Sequence, residues 1–158
     1  MKYVQKIALL ALLAITACIG FTPQTVEAQA FAGSCAAVRG SFTGTFTGFA
    51  SPPTGTVQFR VTNACQVTLW VTTAITGTSN AATATLTGLP YNLWPNIGSV
   101  QLLPNIFTDN TATVIGCISV PSQAGTITFS NTGACAGAVT ASGTKALQAG
   151  WNTTYTLY

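Results

Sequence analysis

The chain has 158 residues, of which 4% are charged, contains no histidine, and carries a formal net charge of +3. That length allows one ordinary domain plus a targeting segment. Without histidine the usual Ser–His and Cys–His nucleophile pairs cannot be built, and beyond residue 30 Asp109 is the only side-chain carboxylate, which removes a glycosidase pair.

Residues 1–30 read as an export signal. Lys2 and Lys6 form a positive start, residues 7–21 are mostly apolar but too short for a good membrane span, and the polar stretch after them ends in Ala28-Gln29-Ala30. Cleavage is expected after Ala30. A second reading takes residues 1–17 as a lipoprotein signal, with Ile15-Thr16-Ala17-Cys18 as the lipobox and Cys18 lipidated. Simple secretion is preferred because all three regions of a secretory signal are present and end in a good cleavage site. Either way the protein is expected outside the cytoplasm. It would be extracellular or at the cell surface, or, on the second reading, an outer-membrane lipoprotein or periplasmic protein. A membrane contact is expected only through such a lipid anchor.

Residues 31–54 form a Gly/Thr/Phe-rich segment. Within it 41–49 repeats Phe-Thr-Gly and is followed by Ser51-Pro52-Pro53. It reads as an edge strand, or alternatively as an arm that adds to a neighbour's sheet. Residues 55–158 read as the main β domain. In 56–62, Val57, Phe59 and Val61 alternate with Gln58 and Arg60. In 66–72, Val67, Leu69 and Val71 alternate with Thr68 and Trp70. The two runs, joined at Asn63-Ala64, predict a hairpin with one apolar face on each strand. Gly77-Thr78-Ser79-Asn80 reads as a polar turn, and 82–87 as a strand stopped at Gly88-Leu89-Pro90, because proline cannot donate a ladder bond. Leu89 is expected to plug the end of the domain. Residues 100–103 and 106–107 read as two short strands around Pro104, with Asp109-Asn110 as a turn. Residues 113–120 and 126–130 flank a five-residue hairpin loop, and 151–158 close the chain as a last strand. Helix formers are scarce throughout. Many short strands punctuated by turns predict an all-β protein, an antiparallel β-sandwich or jelly roll.

Cys35, Cys65, Cys117 and Cys135 remain in the exported body. In an oxidising compartment they are expected as two disulfides, with the three pairings left open. A metal site is disfavoured because none of them forms a Cys-x-x-Cys pair and no histidine is present. Ser142-Gly143-Thr144-Lys145 matches Ser-x-x-Lys, but the motif needs a helix start and a Lys-Thr-Gly strand in a far larger domain, so it is read as chance. No catalytic residue, cofactor site or metal is expected, and the protein is read as non-enzymatic. No basic patch exists for nucleic acid. A surface of Thr, Ser, Asn and Gln offers little charge repulsion against association, so self-association is expected. Tyr91, Trp94, Trp70 and Trp151 are the candidate contact aromatics. They would serve a cell-surface glycan or a protein partner, against the alternative of core or inter-subunit packing.

The motifs Gly77-Thr78-Ser79-Asn80, Thr85-Leu86-Thr87-Gly88-Leu89-Pro90, Thr108-Asp109-Asn110, Gly125-Thr126-Ile127-Thr128-Phe129-Ser130, Ala141-Ser142-Gly143-Thr144-Lys145 and Trp151-Asn152-Thr153-Thr154-Tyr155-Thr156-Leu157 follow one another in an order. That order resembles a β domain at the C-terminal ends of phage tail-fibre and other virion proteins, over residues 55–158. The resemblance implies a compact sandwich that assembles, often as trimers, and contacts a host surface. Two features depart from the family: the export signal, and the lack of a long shaft before the domain. Both point to a bacterial surface or secreted protein with the same kind of domain. The expected function is a structural or adhesion module that self-assembles as a fibre, coat or tip subunit, with a secreted carbohydrate-binding module as the alternative.

Overall fold

The computed structural model describes residues 35–158. The export segment, cleavage at Ala30 and Cys18 lie outside the described residues. The strands are β1 (Val38–Thr47), β2 (Thr54–Val61), β3 (Gln66–Val71), β4 (Ile75–Thr78), β5 (Ala84–Thr87), β6 (Gln101–Asp109), β7 (Ala112–Val120), β8 (Thr126–Ser130), β9 (Thr144–Leu147) and β10 (Asn152–Thr156), with a single 3-10 turn at Tyr91–Leu93. They form one antiparallel sheet in the order β10-β3-β2-β1-β5-β8-β7-β6-β9-β4. The all-β antiparallel expectation holds, with one sheet curling over one core.

The β2–β3 hairpin forms as its alternation dictates. Val57 faces Val71, Phe59 faces Leu69 and Val61 faces Val67, and all six are buried. Each such side chain stabilises the fold by about 1.5–3 kcal/mol when taken fully out of water. Phe107, Ile118, Val120, Ile127 and Phe129 belong to the same core. Phe129 is its hub, with ring centroids 5.1 Å from Phe46, 5.3 Å from Phe107 and 6.1 Å from Trp151.

Three expectations are corrected. First, β1 is not an edge strand. It lies between β2 and β5, pairing with β2 from Val38 to Thr45 and with β5 from Thr45 to Thr47. Residues 35–54 are therefore part of the domain, and the division at 54/55 disappears. The Phe-Thr-Gly repeat makes this crossing workable. A Cβ at Gly44 would lie 2.7 Å from Leu86 and 2.9 Å from Val57, so only glycine lets both neighbours close over the strand. Second, the turn expected at Gly77 is strand, since β4 pairs with β9 from Ile75 to Thr78. Third, the two short strands around Pro104 are one continuous strand, β6, with Pro104 opposite Cys117. Proline is tolerated there because the other flank of β6 carries no ladder partner at that position: the β9 pairing is confined to Thr108.

That flank faces β10, and side chains close the gap between them. Gln101 Nε2 donates to the Thr156 carbonyl at 2.7 Å, and its Oε1 accepts the Thr156 N–H at 2.8 Å. Four residues on, Asn105 Nδ2 donates to the Asn152 carbonyl at 3.2 Å. The two amides do what a ladder would do, and so satisfy an edge that would otherwise template pairing with another chain.

The cysteines pair as Cys35–Cys65 and Cys117–Cys135, each with Cα atoms 5.0 Å apart. The first ties the start of the described chain to the β2–β3 turn, where Cys35 N also donates to the Asn63 carbonyl at 3.3 Å. The second ties β7 to the loop after β8.

Candidate functional site

The segment after β5 builds the rim of the domain. Leu89 turns inward and is buried, as expected from the Gly-Leu-Pro stop. Leu93 is also fully buried, which no local pattern announces, and its carbonyl accepts the Tyr155 hydroxyl at 2.7 Å. Burial pushes the Tyr155 phenol well above its ordinary range, so it stays a donor there. Trp94 is half-buried. Its indole N–H donates to the Leu89 carbonyl at 2.7 Å, and its six-membered ring lies where a Cβ on Gly125 would stand, 2.8 Å away. Trp94 is thus fixed by one hydrogen bond and a glycine seat.

Tyr91 is 82% exposed and meets Trp94 edge-on at 5.1 Å between centroids. The two, with Tyr158 and the amides of Asn92, Asn96 and Gln123, line a cleft of about 370 Å³. Gln123 Nε2 donates to Asn96 Oδ1 at 3.1 Å and its backbone N–H to the Pro95 carbonyl at 2.7 Å, which fixes the cleft floor. Aromatic faces beside uncharged amides suit a neutral hydroxylated ligand or a protein loop. Tyr158 joins the cleft although nothing local in the sequence singles it out. The Asn96 N–H donates to the Leu157 carbonyl at 2.7 Å, and that bond brings the end of the chain to the rim.

The other two aromatics separate. Trp151 is 5% exposed and packs in the core, where its indole N–H donates to Asn105 Oδ1 at 2.6 Å. Trp70 is half-buried on the outer face of β3, between Gln58 on β2 and Asn152 on β10.

A second surface lies on β6 and β7. Leu102 and Ile106 are 58% and 57% exposed on one face of β6, and Ile115, opposite Ile106, is 75% exposed. Beside them a crevice of about 510 Å³ runs between Pro104, Ile106 and Ile115 on one side and Gly150, Trp151 and Asn152 on the other. No charged side chain lines it.

Two charged side chains lie inside the domain. The turn expected at Asp109-Asn110 forms: Asn110 and Thr111 take positive φ at its tip, and Asp109 pairs with Ala112 at its base. Asp109 itself is buried, and accepts the Thr140 N–H at 3.0 and 2.9 Å on its two oxygens and the Thr140 hydroxyl at 3.0 Å. It holds the loop between β8 and β9, a contact across 31 residues that carries no local signal. Lys145 is 0% exposed. Its Nζ donates to the carbonyls of Ala81 at 2.5 Å and Thr83 at 3.4 Å, and stands 5.9 Å over the Phe49 ring. Burial lowers its pKa from the ordinary value, with Asp109 pulling the other way. Lys145 thus ties β9 to the segment before β5.

No protein-family model matches the chain, and no curated protein is significantly similar to it. Among solved structures, the reovirus attachment protein sigma1 in complex with alpha-2,3-sialyllactose is similar at 14% identity and a TM-score of 0.45. The match covers 77% of this chain and spans 66% of that one. A likeness at this level says nothing of what this chain binds.

Proposed function

We propose that the protein is a non-enzymatic, exported surface or extracellular module that assembles with copies of itself through the outer face of β6–β7. The observation that carries this reading is the apolar stripe of Leu102, Ile106 and Ile115. Each of the three is more than half exposed, as is Val100 just before β6, and apolar side chains grouped on a surface in this way mark interaction sites. The adjoining crevice supplies further area. A second copy fits this face better than a charged partner does, because the stripe carries no charge to be desolvated or repelled. The order of motifs that resembles phage tail-fibre tips supports the same assembly reading, and the two disulfides support an oxidising compartment. The non-enzymatic reading is supported by the fate of the interior charges: Asp109 and Lys145 are both committed to backbone groups. Sedimentation velocity tests the proposal. The exported protein should sediment as an oligomer, and Ile106→Glu/Ile115→Glu should sediment as a folded monomer. A wild-type monomer, or an oligomer unmoved by the two charges, would refute it.

A second reading is carried by the rim cleft. The exposed Tyr91 beside a fixed Trp94 is suited to stacking on a neutral sugar ring. This reading makes the module a carbohydrate binder. Tyr91→Ala should abolish retention on neutral polysaccharide columns while leaving assembly intact. Unchanged retention would set the reading aside.

A further inference from the structure

The two exposed cations of the described residues stand side by side. Arg39 on β1 is directly opposite Arg60 on β2, and both are exposed. Directly opposed residues on one sheet face have Cβ atoms about 4.5–5.5 Å apart, and like charges in that position repel. Neither guanidinium has an ion-pair or hydrogen-bond partner among the described residues, where the only side-chain carboxylate, Asp109, is buried and bound elsewhere. In a chain so poor in charge, an uncompensated cationic pair is a feature that an anion would complete. The two arginines line an open concavity of about 740 Å³ at the β2–β3 turn, with Thr62 and Asn63.

The register decides what surrounds the pair. One row across four strands runs Arg39, Arg60, Thr68, Thr154, and the next runs Ser41, Gln58, Trp70, Asn152. The cations therefore share this face with a half-buried indole and five uncharged hydrogen-bonding side chains. We propose that this face of β1-β2-β3-β10 binds an acidic polysaccharide, the arginine pair taking a carboxylate or sulfate and the Ser41–Asn152 row taking the neutral part of the sugar. Two cations are too few for nucleic acid, which is held by many phosphate contacts, and too few for an anionic membrane, which draws clusters of about 4–8. They do suit one anionic group per repeating unit, held by the guanidinium fork. The site is separate from the β6–β7 stripe and the rim cleft, so its failure leaves both of those readings standing.

The test is a titration of the exported protein followed by amide and arginine side-chain NMR. The probes are a uronic-acid tetrasaccharide, a heparin-derived tetrasaccharide, a neutral tetrasaccharide, inorganic phosphate, a single-stranded oligonucleotide and vesicles containing anionic phospholipid. The acidic tetrasaccharides should shift Arg39, Arg60, Gln58 and Trp70, and tighter binding of the heparin-derived one, which carries sulfate in addition to carboxylate, marks sulfate as the preferred anion. Binding should weaken as salt rises, and should fall at least tenfold in Arg39→Gln/Arg60→Gln. Arg39→Lys/Arg60→Lys should bind at an intermediate level, since charge is kept and the fork lost. All variants should keep the wild-type oligomeric mass. Four results would each overturn the proposal: no binding of either acidic tetrasaccharide, equal binding of the neutral one, stronger binding of phosphate, oligonucleotide or vesicles, or acidic binding unaffected by Arg39→Gln/Arg60→Gln.

Discussion

Asn105→Ala tests how the sheet is closed. Asn105 is buried and bridges β6 to β10, accepting the Trp151 indole N–H at 2.6 Å and donating to the Asn152 carbonyl at 3.2 Å. Two neutral hydrogen bonds contribute about 1 kcal/mol each, and a buried N–H left without a partner costs about 1–3 kcal/mol. The crevice beside Asn105 lets water reach the Asn152 carbonyl, so the indole N–H carries most of the penalty. The expected loss is about 2–3 kcal/mol, or roughly 10 °C in Tm for a domain of this size. Urea unfolding followed by circular dichroism measures it, with an unchanged m-value showing that the folded state is otherwise intact. Trp151→Phe supplies the control, because it removes the N–H that Asn105 satisfies. In that background Asn105→Ala should cost only about 1 kcal/mol, a coupling of about 1–2 kcal/mol. If the two losses add to within about 0.5 kcal/mol, the bridge is not what holds Trp151, and this account of the closure fails.

Trp94→Ala should cost about 2–3 kcal/mol, less than the 3–5 kcal/mol of a fully buried tryptophan, while Tyr91→Ala should lie within about 0.5 kcal/mol of wild type; thermal melts separate the two, and equal losses would contradict the rim geometry. The disulfides close loops of 30 and 18 residues, so Cys35→Ala/Cys65→Ala and Cys117→Ala/Cys135→Ala should each destabilise by about 3–4 kcal/mol; a titration that finds four reactive thiols in denatured exported protein would refute both bridges. Lys145 has a folded pKa below its ordinary 10.5, so the unfolded chain binds the extra proton and stability should rise as pH climbs through the lowered value towards 10.5. Tyr155 has the opposite sign, since its folded pKa lies above the ordinary 10.0 and stability falls once the unfolded phenol ionises. Urea midpoints against pH should therefore rise up to about pH 10 and fall beyond it, and Lys145→Met should remove the rise alone.

What the sequence makes legible is local. Val57, Phe59 and Val61 against Val67, Leu69 and Val71 announce a hairpin by period alone, and Gly88-Leu89-Pro90 announces a stop. β4 and β9 are not legible, because four residues each give no period, and β9 carries Lys145 inward where a charge argues against burial. Pro104 divides β6 in any local reading, because nothing nearby in the chain shows that its second flank has no ladder partner. The surfaces are legible only in part. Tyr91 and Trp94 sit three residues apart, and the prolines around them mark a loop. Trp151 cannot be assigned from the sequence, since its partner Asn105 lies 46 residues away. The pairing of Arg39 with Arg60 depends on the register of β1, a strand whose Phe-Thr-Gly repeat admits several registers.

The central claim is that copies of this chain assemble through the β6–β7 face. Light scattering of the purified exported protein, across a dilution series at constant salt, tests it most directly. The account predicts a molar mass that is an integral multiple of the monomer at high concentration, falling towards the monomer on dilution or on Ile115→Glu. A monomeric mass at every concentration would contradict it.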